Sequence, residues 1–469
     1  MRPRNELDLP LVLDRSAAAP LHQQLATALR DAVLDGLLPA GSRLPSSRLL
    51  GVQLHLARST VLTAFEQLAG EGYLHSRHGS GTFVPAQVHS LPARRPHPSG
   101  TAPPDPPSAA GQVDLRPGQP DTRRLVDGAW RAAWREATAG ELPPVEPPVQ
   151  GLTALRDQIA VHLRAARGLQ ADAADVFVTA GTGEGLALVV HALGAAARPV
   201  AVEDPGYPSA RRVLTRLGCR LQPVPVDDDG LLVDRLAALP AAPGLVLVTP
   251  SHQYPMGGCL PVGRRLALLE WARRADALVL EDDYDSEFRF GATPLPALAG
   301  LDPDGRVVHL GTFSKVLSPW LRIGYLLVPA RLRPALLAVR CDLGTPVSGV
   351  DQQALTSYLA SGGLTRHIAR TRRDYAHRRH HLTQLLADHP HLRLRGSRAG
   401  LHTVIELPRD ADVPAVLATC AQQGFLLADR RDYDASPHPE PRPAVVLGYG
   451  GATLTDLTKA VAALAACTR

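Results

Sequence analysis

The stretch that most limits how this chain can fold runs from Pro85 to Gly111 and reads PAQVHSLPARRPHPSGTAPPDPPSAAG. Its prolines lack the backbone N–H that helices and sheet ladders use, and its few apolar residues cannot build a core, so a semi-extended linker is predicted there. The rest must fold as two modules, residues 1–84 and 112–469. At 469 residues the chain exceeds one ordinary domain, and each module is long enough to bury its own core.

Several classes of protein are set aside at once. No stretch approaches the roughly 20 uninterrupted apolar residues of a membrane span, and the charged start MRPRNELDLPLVLDR is not followed by a secretory apolar run, so a cytoplasmic protein is expected. Five scattered cysteines form no CxxC pair, which supports neither a disulfide frame nor a zinc site, and no metal is expected. A pI near 9.1 with a net charge of only +5 permits nucleic-acid binding without demonstrating it.

In the first module Leu21, Leu25, Leu29 and Val33 recur four apart, an apolar helical stripe between Pro20 and Pro39. LPSSRLLGVQLHLARSTVLTAFEQLAGEGYL then predicts a serine-capped short helix, a break, and a second helix starting near Arg58, Ser59 and Thr60 with Val61, Phe65 and Leu68 turned inward. YLHSRHGSGTFV reads as a hairpin with a Gly-Ser-Gly tip. This is the layout of a helix-turn-helix with a wing, in which small polar and basic residues at the start of the second helix reach the major groove. The stretch resembles the winged-helix domain of GntR-type regulators through Gly41, Leu44, Pro45, Ser46, Arg48, Arg58, Thr60, Val61, Gly72, Gly79, Gly81, Thr82, Phe83 and Val84. The resemblance implies double-stranded operator DNA as a partner. Arg48 and Arg58 would meet phosphates or base edges, with Arg43, Ser46, Ser59, Thr60, Arg77 and Gly81 close by.

In the second module the β-rich runs VFVTA, PVAVED, GLVLVTP, ALVLEDD and RVVHLGT alternate with Ala/Leu/Arg helical stretches, predicting an α/β fold with a mostly parallel sheet. Of the 50 Lys+Arg residues only Lys315 and Lys459 are lysine. Any site needing only a cation could have used arginine, whereas an amine can lose its proton near neutral pH and attack a carbonyl. A surface lysine would need no such role, so the neighbouring motifs decide. TAGTGEGLALVV places Gly181, Thr182 and Gly183 at a strand-to-helix turn able to hold a phosphate. VLEDDYDSEF points Asp282 and Tyr284 to one strand face and Asp283 to the other. GTFSKVLSPWLR adds Thr312 and Arg322 around Lys315, a hydroxyl and a guanidinium for the same phosphate. An amine, a carboxylate, a phenol and a phosphate cup are the parts a pyridoxal phosphate site requires.

From about Gly111 to the C-terminus the chain resembles an aspartate-aminotransferase-type domain. VEDPGYPSARRVL, TPSHQYPMG, EDDYDSEFRF, GTFSKVLSPWLRIGYL, RAGLHTVIEL and RPAVVLGYG behind a GntR-type winged helix are similar to the MocR family of transcriptional regulators. The resemblance implies a small C-terminal α+β subdomain, a homodimer, and pyridoxal 5'-phosphate as cofactor. Lys315 would form the aldimine, Asp282 would meet the pyridine nitrogen, Tyr284 the ring hydroxyl and Tyr207 the ring face. Gly181, Thr182, Gly183, Thr312, Ser314 and Arg322 would bind phosphate, and Arg430 or Arg431 would hold the carboxylate of a small-molecule effector. The chain departs from the family at Trp320, where glycine is usual, and at Ser209, where the GABA-responsive member has arginine, so GABA is not the expected effector. The function expected is a DNA-binding regulator sensing pyridoxal phosphate or an amino compound that reacts with it; the alternative is a working aminotransferase with an accessory winged helix.

Overall fold

A computed structural model of the chain describes residues 11–77, 80–87, 111–194, 198–290, 296–396, 399–436 and 442–468. It falls into two compact units, residues 1–107 and 108–469. Most of the predicted linker (88–110) and Gly79 of the predicted hairpin tip lie outside the described residues.

In the first unit, α1 (Leu21–Leu34), α2 (Ser47–Gln53) and α3 (Arg58–Gly70) precede a hairpin of β1 (His75–Arg77) and β2 (Gly81–Phe83). The expected stripe is inside: Leu25, Leu29 and Val33 of α1 pack with Val61, Phe65 and Leu68 of α3 in one core. Leu21 is the exception, only half-buried at the first turn. Ser46 caps α2 by accepting the Leu49 N–H at 3.2 Å, satisfying a donor the first turn leaves orphaned.

The second unit begins with β3 (Val113–Asp114), then α4 (Gly128–Ala139) and α5 (Thr153–Arg167). Its main sheet is built from β4 (Val176–Thr179), β5 (Val200–Asp204), β6 (Leu221–Asp227), β7 (Gly230–Leu231), β8 (Leu245–Val248), β9 (Leu278–Asp283), β10 (Val307–Thr312) and β11 (Gly324–Leu327), in the order β4-β11-β10-β9-β8-β5-β6-β7. Neighbours from β10 through β6 run parallel, while β11 and β7 are antiparallel to theirs. Between the strands lie α6 (Thr182–Leu193), α7 (Pro208–Arg216) and α8 (Val262–Arg274). Strand periodicity explains the burial of both faces: Leu278 and Leu280 pack with Leu186 of α6 and Leu214 of α7, while Val279 between them packs with Leu268 of α8.

After α9 (Arg333–Leu343), α10 (Gly349–Ala360) and the 25-residue α11 (Gly363–Ala387), a smaller α+β layer carries β12 (Arg393–Arg395), β13 (His402–Glu406), α12 (Val413–Gln422), β14 (Phe425–Leu426), β15 (Ala428–Asp429), β16 (Ala444–Gly448) and α13 (Leu454–Ala466). Its antiparallel sheet has the order β12-β13-β16-β15, and β14 pairs in parallel with the distant β3. No helix among the described residues is long and apolar enough to cross a membrane.

Candidate functional site

Strand register brings the candidate residues to one edge of the main sheet. Leu310 pairs with Asp282, Thr312 with Gly324, and Gly324 with Thr179, so β4, β9 and β10 end side by side. A crevice beyond the carboxyl ends of such strands is where α/β folds hold ligands. Here a cavity of about 160 Å³ is lined by Gly181, Thr182, Gly183, Tyr207, Asp282, Tyr284, Thr312, Ser314, Lys315 and Arg322, ten positions drawn from four separate sequence motifs. Thr249, Tyr254 and Pro319 line it too.

One end of the cavity suits an oxyanion. Gly181, at φ +84°, is the N-cap of α6, a conformation that favours glycine, so the first-turn N–H groups of that helix open toward Thr182 and Gly183. Arg322 is also held at positive φ, +51°, after the short turn Pro319–Leu321, an uncommon backbone for a non-glycine residue.

The other end carries the ionisable groups. Asp282 is buried and its Oδ1 has no hydrogen-bond partner. Burial, with the nearby Asp283 and Glu203 carboxylates, pushes its pKa up to about 7. Asp283 points to the opposite face, where Arg167 Nε lies 2.6 Å from its Oδ2. Lys315 is half-buried, and desolvation lowers the pKa of its amine against the pull of Asp285 and Asp282. A lowered amine pKa means more free base near neutrality, the form that attacks carbonyls. A pyridine nitrogen is the partner that the orphaned Asp282 oxygen lacks, and Lys315 and the phosphate cup lie in the same cavity, so the residues present fit pyridoxal phosphate.

Three features were not legible in the motifs. Lys315 Nζ donates to the carbonyl of Gly118 at 2.9 Å, across 197 residues of sequence. Gly118 sits at φ +97°, a backbone that favours glycine, and a Cβ there would lie 2.6 Å from Nζ, so a larger residue would push the amine aside. Tyr284 Oη donates to the His252 carbonyl at 2.9 Å, while His252 Nδ1 meets Asp285 Oδ2 at 2.9 Å, so a buried pair holds the phenol in place. Tyr254 stands edge-on to Tyr207, Tyr284 and Tyr433, each 5.5 Å away between ring centres, walling the cavity with aromatic surface. The sequence signal for His252 and Tyr254 was the segment TPSHQYPMG, which carried no residue role; nothing local marked Gly118. Gly118→Ala is therefore expected to displace the amine and slow its covalent capture of pyridoxal phosphate by on the order of 100-fold, read by borohydride trapping over time.

The structure does not bring Arg430 or Arg431 to this cavity. Arg430 is buried against Asp434, with Nη1–Oδ1 and Nη2–Oδ2 distances of 2.9 Å, and lines a different cavity of about 630 Å³. Arg431 is half-exposed and pairs with Asp429 at 2.8 Å. The two guanidiniums meet the carboxylates that flank the 3-10 helix Arg430–Tyr433, Asp434 and Asp429 respectively, and neither lines the cavity that holds Lys315. Ser209 accepts from Arg212 at 2.7 Å, and Trp320 is 94% exposed.

In the first unit, Arg43, Ser46, Arg48, Arg58, Ser59, Arg77 and Gly81 are exposed and Thr60 is half-buried at the start of α3. Arg58 Nε donates to Ser47 Oγ at 3.4 Å, linking the two helices of the motif. Arg43 and Arg77 lie over the Phe83 ring at 6.0 and 5.6 Å, presenting cations beside the wing. Ser46 is already engaged as the cap of α2.

Fold and cavity together define an aminotransferase-type unit carried behind a winged helix-turn-helix. Residues 110–430 match the family model for aminotransferase class I and II, and residues 21–84 that for bacterial regulatory proteins of the gntR family. The chain is 46% identical over 443 residues, covering 94% of itself and 95% of the relative, to the HTH-type pyridoxine biosynthesis transcriptional regulator PdxR of Corynebacterium glutamicum. It is 34% identical over 460 residues, 94% of itself and 92% of the relative, to the probable rhizopine catabolism regulatory protein MocR of Rhizobium meliloti. Among solved structures, an archaeal alanine:glyoxylate aminotransferase superposes with a TM-score of 0.70 at 24% identity, over 76% of this chain and 90% of that one, a likeness of fold. The chain belongs to the MocR family of GntR-type transcriptional regulators.

Proposed function

We propose that this regulator binds operator DNA through its first unit and that pyridoxal phosphate, captured by Lys315, sets that binding. The observation that carries the reading is the orphaned, buried Asp282 oxygen sharing one cavity with the half-buried Lys315 and an oxyanion cup. The 46% identical relative, a pyridoxine biosynthesis transcriptional regulator, favours the cofactor itself as effector over an unrelated amine. Pyridoxal phosphate, when bound, supplies an aldehyde open to amines and an electron-withdrawing ring. The chain's own residues do the rest. The α6 N-terminus, Thr312, Ser314 and Arg322 bind the phosphate; Asp282 holds a proton at the ring nitrogen; Tyr284, fixed by His252, meets the ring hydroxyl; and Tyr207 covers the ring. Lys315 gives up its hydrogen bond to Gly118 when its nitrogen is engaged. A homodimer in the cytoplasm suits paired operator half-sites.

Arg58→Ala is expected to weaken binding to a fragment from the gene's own upstream region by about tenfold or more, the roughly 1–3 kcal/mol of a lost base or phosphate contact, without touching cofactor uptake. Gel shifts of the parent, Arg58→Ala and Lys315→Ala proteins, each with and without pyridoxal phosphate, check this. No specific upstream binding together with rapid multiple-turnover transamination would hand the chain to the aminotransferase reading.

A further inference from the structure

α11 carries far more base than acid. On α8, Arg273 and Arg274 both close on Glu270, at 2.8 and 2.5 Å. α11, reading GLTRHIARTRRDYAHRRHHLTQLLA, has one acid, Asp374, among six arginines and four histidines. Its buried face is set by Leu364, His367, Thr371, Tyr375 and Leu382. Arg366, Arg370, Arg373 and His377 recur at 4, 3 and 4 residues, which is one stripe of a helix. Arg366, Arg373 and His377 are exposed and Arg370 is half-buried.

Arg370, Arg373 and His377 of the stripe line a groove of about 760 Å³ walled on its other side by Arg123, Arg124 and the N-cap of α13, Thr453, while Arg366 extends the stripe beyond it. The acids nearby do not cancel it. Asp121 serves both Arg123 and Arg378, at 2.7 and 2.5 Å; Asp374 reaches Arg124 only at 3.6 Å; Asp127 takes Arg370 at 3.2 Å. Arg366 and Arg373 have no ion pair among the described residues; the Arg366 Nη1 donates instead to the Ser361 carbonyl at 2.9 Å. From Arg366 to His377 the row is about 16 Å long at ~1.5 Å per residue. A single phosphate would use one or two arginines, whereas arginines spread over about 10 Å of helix, from Arg366 to Arg373, can meet several phosphates of a nucleic-acid backbone, which carries one negative charge per about 1.7 Å of duplex axis.

We infer that the outer stripe of α11 with Arg123 and Arg124 is a phosphodiester-binding face, by which the effector unit contacts duplex DNA in its own right and without reading sequence. This rests on the DNA-binding assigned to the first unit, and the two fail differently: loss of the winged helix removes sequence preference, loss of this face removes salt-dependent affinity common to all duplexes.

The test uses the full chain carrying Arg366→Glu and Arg373→Glu. Fluorescence anisotropy with the upstream fragment and with an unrelated duplex is followed over a range of KCl concentrations. Affinity for both is expected to fall about tenfold or more near ~0.1 M salt, and the slope of log K against log salt to become shallower by about 2, one for each lost cation. Circular dichroism and uptake of pyridoxal phosphate should match the parent; if the charge reversals prevent folding, Arg366→Gln with Arg373→Gln removes the same two cations more gently. In Arg58→Ala, preference for the upstream fragment over the unrelated duplex is expected to shrink, with the salt slope becoming shallower by at most about 1. An unchanged slope with both duplexes overturns the inference, as does a loss confined to the upstream fragment. Competition by ATP at concentrations that leave the salt slope of DNA binding intact would identify a small-anion pocket and overturn it too.

Discussion

Borohydride reduction of the protein loaded with pyridoxal phosphate is expected to leave a pyridoxyl group on Lys315 alone, and Lys315→Ala to take up none covalently. The chain offers only one other lysine, Lys459, on the exposed side of α13, so peptide mapping has two possible answers. Loading should colour the parent, with a band near ~420 nm from extended conjugation, and leave Lys315→Ala without it. Lys315→Ala should bind the upstream fragment as the parent does in the absence of cofactor, because nothing in the first unit is altered. It should also lose every response of that binding to pyridoxal phosphate. Labelling of Lys459, or a cofactor response that survives the substitution, would show that the Lys315 amine is not where the effector is read.

Asp282→Asn is expected to act in opposite directions on the cofactor-free and cofactor-bound protein. Without cofactor the native state must bury this carboxyl, which raises its pKa from the ordinary carboxylate range to about 7. A group whose folded pKa is raised stabilises the fold fully below its unfolded pKa and loses that contribution as pH rises to the folded value, here between about pH 4 and pH 7. The amide cannot ionise, so Asp282→Asn should be more stable than the parent by on the order of 2 to 4 kcal/mol above pH 7, with the gain vanishing near pH 4. With cofactor the sign reverses. The charge that destabilised the empty cavity is the one that meets a protonated ring nitrogen, so its removal should cost about 3 kcal/mol of binding, more than 100-fold in Kd. Thermal unfolding against pH and absorbance titration read the two halves separately. Parallel losses, or no pH dependence of the gain, would mean Asp282 does not face the ring. Glu203, likewise buried and raised to about 7, sits close enough to feel the same charge, so its own titration should shift in Asp282→Asn.

These signs depend on burial, and burial is where the sequence stops. The residues of the cavity were legible because each lies in a short motif whose local geometry does the placing. The period of a strand separates Asp282 from Asp283, and a glycine N-cap opens the first turn of α6 beside Thr182. The helix-turn-helix was legible for the same reason, since the spacing of Val61, Phe65 and Leu68 fixes the inward face of α3 within 13 residues.

What the sequence by itself determined was therefore the two-module division, the order of helices and strands, and the ten cavity residues held by motifs that fold locally. Only the tertiary structure decided what those motifs meet. Gly118 reaches Lys315 because β3 pairs with β14, far along the chain, which lays the following turn across the cavity. Arg430 looked available until the turn from Asp429 to Asp434 closed on itself and used its guanidinium. The stripe on α11 was readable as periodicity, yet its value as a cationic face depended on how few carboxylates the neighbouring loop and α13 would bring to it. Local pattern fixes which way a side chain points, whereas partners and desolvation come from long-range packing, and they decide whether a charge is paired, orphaned or free to bind.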